Sequence, residues 1–499
     1  MTLAGLQSEP FIIPGIVLAI IVGAALGLAS LVLSPMLIIA VLIGLFLVPS
    51  LLKTPVPFLM VMLIGYSTIL DVNLVPLVPL GFGSLNLLDI GLLGYLVLVV
   101  LRRFIEPGFT LYIGAQGIAI LVFMFALIFS TAIGIVEGST DFSSATTEIR
   151  YFSYYIGFFV IAYWIRDRRQ LTYLLYGFFF LAAVVSVGMI AQYVAGDSVQ
   201  IIYGRIEAFA QAGEEAEGVT RVIPAGRYLV LVSFITLTFL QAMHEKGSTW
   251  ITLAWVLTAL GVLLTFNRNF WVSAVFVIGV FMIVVDPVTR SQLLRLLAKS
   301  GVVLLILLAV ILSSPESTLA QTVTSMGDRF FSLFSSDTYQ NTVRSDNNTS
   351  SLEFRRIESE YALKRLSPPP LFGLGAGANY RPKLDALDSE NFDGRGYIHN
   401  AHLWVILKTG VLGYGALMAM FLLTIFRGIR YWKIVDAPGD RAILLGFSLS
   451  LIGILTSAIV DPILSDLTWT PVCGILVGVN EVYIRQHKIL NQTTPTNTA

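Results

Sequence analysis

Four histidines offer proton-transfer chemistry, and two of them, His399 and His402, stand three residues apart where a long apolar run begins. Imidazole titrates near neutrality, so either ring can take a proton from a hydroxyl. Residues three apart share a helix face, and the pair equally suits plain interfacial residues at a helix start. Two histidines without a nearby His-Glu pattern do not complete a zinc site. The single cysteine, Cys473, excludes a disulfide framework or a cysteine metal site and reads as a small apolar helix residue. His244 and His487, beside Lys246 and Lys488, read as solvated surface. Two arginines are the second anomaly. Arg227 opens an apolar run, and Arg268 sits in the turn Thr265-Phe266-Asn267-Arg268-Asn269-Phe270-Trp271. Beside a bilayer a guanidinium either snorkels to headgroups or recognises an anion. Its planar fork matches phosphate oxygens, which suits a lipid-linked diphosphate. The run Gly373-Leu374-Gly375-Ala376-Gly377 resembles a phosphate loop only superficially. It follows a Pro-rich turn rather than a strand and lacks a helix-opening GKS/T, so tight turning or close backbone approach is the better reading.

The elements that hold these residues follow from composition. Of 499 residues, 56% are hydrophobic and 12% charged, with a mean hydropathy of +0.82. Soluble domains carry about 25% charged residues, so a soluble enzyme, a disordered chain and a nucleic-acid binder are disfavoured. The 31 basic and 31 acidic residues cancel, leaving no global field for polyanions. Runs of about 20 apolar residues cross a bilayer as helices. Fourteen candidates occur, near 11–33, 36–52, 56–71, 86–101, 113–136, 151–165, 171–195, 226–243, 250–266, 270–286, 300–313, 402–426, 441–460 and 463–484. No ten-residue alternating strand pattern appears, so helices are the expected element throughout. The start, MTLAGLQSEPF, reads as an uncleaved first span.

Sixteen of the 31 basic residues fall in the short loops or tail of one side, among them Lys53, Arg102, Arg103, Arg166, Arg168 and Arg169. The short opposite loops near 34–35, 72–85 and 461–462 carry none, which places both termini in the cytoplasm. The outer side then receives the polar segments 137–150, 196–226 and 314–399. The domains expected are N-terminal transmembrane helices over 1–195, central transmembrane helices over 196–313, an ordered extracytoplasmic subdomain over 314–401, C-terminal transmembrane helices over 402–484, and a cytoplasmic tail, polar at its end, over 485–499. Within the subdomain, 351–366 fits a short helix with Leu352, Ile357, Tyr361 and Leu366 near one face, ended by Ser367-Pro368-Pro369-Pro370. Lys408 lies about two turns inside its span and either snorkels or pairs with an outer acid. Gly410 and Gly413 read as sites of close helix packing, the acidic run Glu214-Glu215-Ala216-Glu217 as a solvated loop, and Asp461 and Asp466 as turn caps or arginine partners.

These residues resemble the O-antigen ligase and polymerase superfamily of bacterial envelope glycan enzymes. His399-Asn400, nine residues, then Gly410-Val411-Leu412-Gly413 is similar to its histidine motif, H-[NSQ]-x9-G-x-x-G. Arg227-Tyr-Leu-Val-Leu231 fits its R-x3-L element, and Asn267-Arg268 with Trp271 resembles its Ser-Arg turn and following aromatic. Arg355/Arg356 and Pro370–Gly377 resemble the approach to the histidine. The likeness covers roughly 200–425, while the first 195 residues match only as an apolar helical bundle. Asn267 where serine is common, and the second histidine, depart from the pattern.

The resemblance implies an all-α polytopic membrane protein of about 14 (12–14) transmembrane helices, similar to the GT-C class, with a large extracytoplasmic loop subdomain. It implies a multi-pass protein of the bacterial cytoplasmic (inner) membrane whose active site faces outward. The donor would be a glycan on undecaprenyl diphosphate, and the acceptor a glycan or glycolipid. Arg227 and Arg268 would hold the diphosphate and stabilise its charge on departure, and His399 would take or orient the acceptor hydroxyl proton. Arg205, Arg221, Arg355, Arg356, Asn400 and His402 would assist binding, with His402 the competing base. Because diphosphate leaves well, no metal, cofactor or nucleotide sugar is required, and direct displacement inverts the anomeric carbon. Ligase, polymerase and protein-directed oligosaccharyltransferase differ only in acceptor. The rival of another class is a solute transporter, which would place ionisable groups near the bilayer midplane in repeated halves. Here the polar residues gather at one face and no second copy occurs.

Overall fold

The computed structural model describes residues 54–493 except 72–73, 76, 80–83, 107–108, 110, 112, 212–213, 244–247, 332–350, 385–387 and 389–392. The first two expected spans, His244 and the side chain of His487 lie outside the described residues. Lipid offers backbone groups no partner, and the remaining apolar runs form helices. These are α1 (Val56–Tyr66), α2 (Leu87–Ile105), α3 (Gly114–Val136), α4 (Phe142–Ser153), α5 (Gly157–Trp164), α6 (Arg168–Ala195), α7 (Arg227–Met243), α8 (Thr249–Leu264), α9 (Arg268–Val284), α10 (Pro287–Leu312), α11 (Thr318–Phe331), α12 (Ser351–Arg365), α13 (Ala401–Tyr431), α14 (Pro438–Ser457) and α15 (Thr470–Thr493). Phe58–Ala499 is one unit by contacts.

Five of these helices, α3, α6, α10, α13 and α14, are long and apolar enough to cross a membrane, and α1, α7, α8 and α9 are shorter apolar helices. The chain is a multi-pass membrane protein. Helix α10 shows how such a surface meets lipid, with Val302, Val303, Leu304, Leu305, Ile306 and Leu307 all exposed. Inside the bundle, lipid removes the hydrophobic drive for helix pairing, so small residues set the approach. A Cβ on Gly446 of α14 would fall 2.6 Å from Thr236 Cγ2 of α7, and one on Gly478 of α15 would fall 2.7 Å from Ile161 Cβ of α5. Between helices, Arg102 and Arg166 share Glu106, at 2.8 and 2.9 Å, and Tyr483 donates to Asp440 at 3.1 Å.

Four features differ from the sequence reading. The chain is not all helix: β1 (Leu77–Pro79) pairs antiparallel with β2 (Ser84–Asn86), and β3 (Gly204–Gln211) with β4 (Glu214–Pro224). The β3–β4 hairpin fills the polar segment 196–226, where strands follow the rules of water rather than lipid, and Glu207 faces Arg221 across it. The polar segment 137–150 is largely α4, started by Asp141, whose carboxylate accepts from Ser144 N at 2.9 Å. The candidate near 300–313 is the end of the longer helix α10, and the one near 151–165 is a one-turn 3₁₀ segment, Tyr154–Ile156, leading into the eight-residue α5.

The fourth difference is at Gly410. It does not simply permit close packing but interrupts α13, with φ 70 and ψ −173. Its left-handed backbone and the carbonyl of Leu371 where a Cβ would sit both require glycine. The glycine-rich segment completes the broken ladder. Val411 N and Leu412 N donate to the carbonyls of Pro370 and Leu371, while Leu374 N and Gly375 N donate to those of Leu407 and Lys408. Irregular backbone among apolar helices survives only when such groups are satisfied by protein. At Gly375, φ is +91 and a Cβ would meet Thr131 Cα at 2.7 Å, which explains the glycine run by close approach to α3.

Candidate active site

His399 stands beside a small core shared by α12, the loop that follows it and the start of α13. Ala362 and Leu366 of the α12 end pack with Tyr380, Ile398, Trp404 and Leu407. The loop before it is fixed by a buried pair: Arg381 grips Asp388 at 2.7 and 2.9 Å, and Asp388 also accepts from Leu384 N and Gly394 N, both at 2.8 Å. The hydrogen bonds from Arg381, chiefly, hold the Asp388 carboxyl well below the usual range. Asn400 caps α13 by accepting from Leu403 N at 3.1 Å, so its side chain serves the helix end.

The imidazole of His399 is held by α12. Glu358 Oε2 accepts from His399 backbone N at 3.0 Å and lies 2.9 Å from Nδ1. The Glu358 side chain is 1% exposed against 29% for His399, whose ring also meets the edges of Phe354 and Tyr397. With Nδ1 turned to a carboxylate, Nε2 is the ring nitrogen left to accept a proton. His402 differs. Its Nε2 is 2.9 Å from the carbonyl of Leu455, which only accepts, and Tyr414 Oη lies 3.2 Å from Nδ1. Both of its nitrogens are engaged, Nε2 in joining α13 to α14 and Nδ1 within α13.

The arginines divide as well. Arg227 donates to Asp466 at 2.6 Å and to Tyr228 Oη at 2.8 Å, with its guanidinium 4.2 Å from the Tyr228 ring centre. Tyr228 in turn donates to Asp461 at 3.3 Å. Asp461 lies within electrostatic reach of both Arg227 and His399. Burial pushes its carboxyl up, while Arg227 pulls it down. Arg268 is aimed by a strained turn. Phe266 takes φ 48 with its ring buried against Val219 of β4 and Met326 of α11. Asn267 then caps α9, accepting from Asn269 N at 3.1 Å. Arg268 feels the charges of Arg355 on α12 and Arg221 on β4. Arg221 donates to the carbonyl of Thr265 at 3.1 Å and to Glu207 at 3.2 Å, and burial lowers its ordinary value. Arg355 Nε is buried without a hydrogen-bond partner. Three guanidiniums from three elements thus share one region. Arg205, 67% exposed, pairs with Glu207 at 2.7 Å, and Arg356, 62% exposed, pairs with Glu353 and Glu360 at 2.6 and 3.1 Å. These two are held by local acids at the surface.

Sequence reasoning missed Glu358, although the 351–366 helix itself was legible. Its signal was a carboxylate four residues after Phe354 on the helix preceding the histidine. It also missed Glu148, the acid that Lys408 finds. Lys408 Nζ donates to Glu148 at 3.0 Å and to the carbonyl of Ala378 at 2.7 Å, Trp404 Nε1 donates to Glu148 at 2.6 Å, and Gly377 N donates to it too. Lys408 is therefore paired, not snorkelling. Among the described residues no group of three His, Cys, Asp or Glu side chains is placed to hold a metal.

No curated protein matches the sequence. A family model described as O-antigen ligase matches residues 253–418, about a third of the chain. That stretch contains Arg268, Arg355, His399 and Gly410 and leaves out Arg227. Over residues 253–418, then, the chain is similar to the O-antigen ligase family.

Proposed function

We propose that the protein transfers a glycan from undecaprenyl diphosphate to an acceptor sugar hydroxyl at the outer face of the bacterial cytoplasmic membrane, in surface polysaccharide assembly. The observation that carries this reading is His399 held through Nδ1 by Glu358, with Asp461 within electrostatic reach of both His399 and Arg227, and with Arg355 within reach of both Tyr397 beside the ring and Arg268. The acceptor oxygen attacks the anomeric carbon, its proton passes to His399 Nε2, and the bond to the diphosphate oxygen breaks. Negative charge grows on the diphosphate as it leaves, where a preorganised set of guanidiniums is most effective. Arg268, with Arg355 and Arg221 beside it, forms the anion cradle. Arg227, paired with Asp466, borders it and steadies Tyr228 and Asp461. Displacement by one hydroxyl inverts the anomeric carbon, and no metal is needed to activate so good a leaving group. The helical scaffold with its outer subdomain is similar to the GT-C class, with both termini cytoplasmic.

The test uses full-length protein in lipid vesicles with undecaprenyl-diphosphate-linked glycan and candidate acceptors, with and without EDTA. Transfer insensitive to EDTA is expected, reduced by about 10²–10⁴ in His399→Ala and by at least about 10² in Arg268→Ala. Modification of a glycolipid acceptor marks a ligase, and chain growth on the lipid-linked donor marks a polymerase. Folded wild type that transfers to no acceptor, yet moves a solute across the vesicle membrane, overturns the reading in favour of transport.

A further inference from the structure

We propose that Glu358 is the positioning residue that fixes the tautomer of His399, so that Nε2 and not Nδ1 faces the acceptor hydroxyl. This rests on the reading of His399 as the base. One face of α12 grips the imidazole twice. Phe354 sets its ring edge-on to His399 at 5.8 Å between centroids, and one helical turn later Glu358 reaches both the backbone N–H and Nδ1. Arg356 and Glu360, on the other face, are exposed and pair with each other.

The tautomer follows from the burial of the carboxylate. Glu358 Oε2 has two nitrogens against it, and Oε1 is buried with no hydrogen-bond partner. An acceptor buried without donors is costly. If the ring carried its proton on Nε2, the Nδ1 lone pair would face the carboxylate at 2.9 Å, acceptor against acceptor. With the proton on Nδ1, the same contact becomes a charge-assisted hydrogen bond. The second ring nitrogen then presents its lone pair to the substrate, as the partner on the first one dictates. When the acceptor proton arrives at Nε2, the Nδ1 proton stays in place and the carboxylate balances the ring's new charge. Asp461 also lies within electrostatic reach of His399, and at the neighbouring Tyr397 the charge of Arg355 on α12 acts against those of Glu358 and Asp461. Of these, Glu358 alone bonds the ring.

The experiment compares wild type, Glu358→Gln, His399→Ala and the double variant, all full length in lipid vesicles. Glutamine can keep an oxygen on both N–H groups, so its substitution removes the charge and the fixed acceptor rather than the packing. The expected result is a kcat lowered about 100-fold, within the span general-base contributions cover, with the KM for donor and the melting temperature unchanged. Added to His399→Ala, the substitution costs nothing further, because it acts only through that ring. A wild-type kcat in Glu358→Gln, a loss confined to KM and melting temperature, or the same loss in the His399→Ala background overturns the proposal. Full activity of His399→Ala instead sinks the base reading, so the two failures are distinguishable. Should Glu358→Gln not fold, ¹⁵N-histidine spectra of wild type decide the matter. The signal missing from His399→Ala reports a ring protonated at Nδ1 if the inference holds, and at Nε2 if it fails.

Discussion

Replacing either half of the buried Glu148–Lys408 pair tests how the site is held to the bundle. The pair ties α4, α13 and the glycine-rich segment at one point, with the Lys408 side chain 1% and that of Glu148 10% exposed. Removing one partner of a buried pair costs about 3–5 kcal/mol, because the survivor is left charged and desolvated. The two sides are not equal here. In Lys408→Met, Glu148 keeps Trp404 Nε1 and Gly377 N as donors, so the cost falls at the low end, about 3 kcal/mol. In Glu148→Leu, the ammonium keeps only the carbonyl of Ala378, and two further N–H groups lose their acceptor. Each unsatisfied donor adds about 1–3 kcal/mol, so the cost reaches or exceeds about 5 kcal/mol. The double variant removes the stranded ammonium and recovers part of that loss. The assay is reversible unfolding in mixed micelles, following tryptophan emission, alongside transfer activity at a temperature where each variant remains folded. The expected order of stability is wild type, Lys408→Met, the double variant, then Glu148→Leu. If Glu148→Leu proves as stable as Lys408→Met, or the double variant is no better than Glu148→Leu, the pair does not govern this junction.

Two further substitutions test the scaffold around His399. Gly410→Ala forces a side chain into a left-handed backbone and onto the Leu371 carbonyl. It is expected to cost at least about 1–3 kcal/mol and to raise hydrogen exchange across 370–375 and 407–412 together; unchanged exchange there would show that the two strands of backbone do not depend on each other. Asp388 is held ionised below its ordinary value. Its contribution to the loop is therefore complete above the unfolded value, about 3.9, and declines as pH falls through the lower folded value. Exchange protection of Leu384 N and Gly394 N, which Asp388 accepts from, should be flat from pH 7 to about 4 and then fall, whereas Asp388→Asn should show weak protection at neutral pH and little further change on acidification. Identical acid profiles for the two proteins would contradict the assignment.

Much of the membrane architecture was legible because lipid leaves the backbone so few choices. A run such as 113–136 or 171–195 has to be helical, and its ends fall within a few residues of α3 and α6. The helix over 351–366 was equally plain from its apolar face and the prolines that end it. The histidine motif and the arginine turns were visible as residue types out of place at the edges of apolar runs. The polar segments were less so: α4 and the β3–β4 hairpin lie where water permits loop, strand and helix alike, and short-range pattern does not choose among them. What set His399 apart from His402 lay elsewhere in the chain. Glu358 comes 41 residues before His399, and Leu455, which engages the other ring, comes 53 residues after His402. Lys408 found its acid 260 residues away, and the break at Gly410 is mended by carbonyls and amides from a segment some 40 residues earlier. Local spacing fixes which groups share a helix face, because 3.6 residues make a turn. Which nitrogen is free, which charge is neutralised and which backbone gap is closed depend on groups brought together only by packing, and no periodicity in the chain records them.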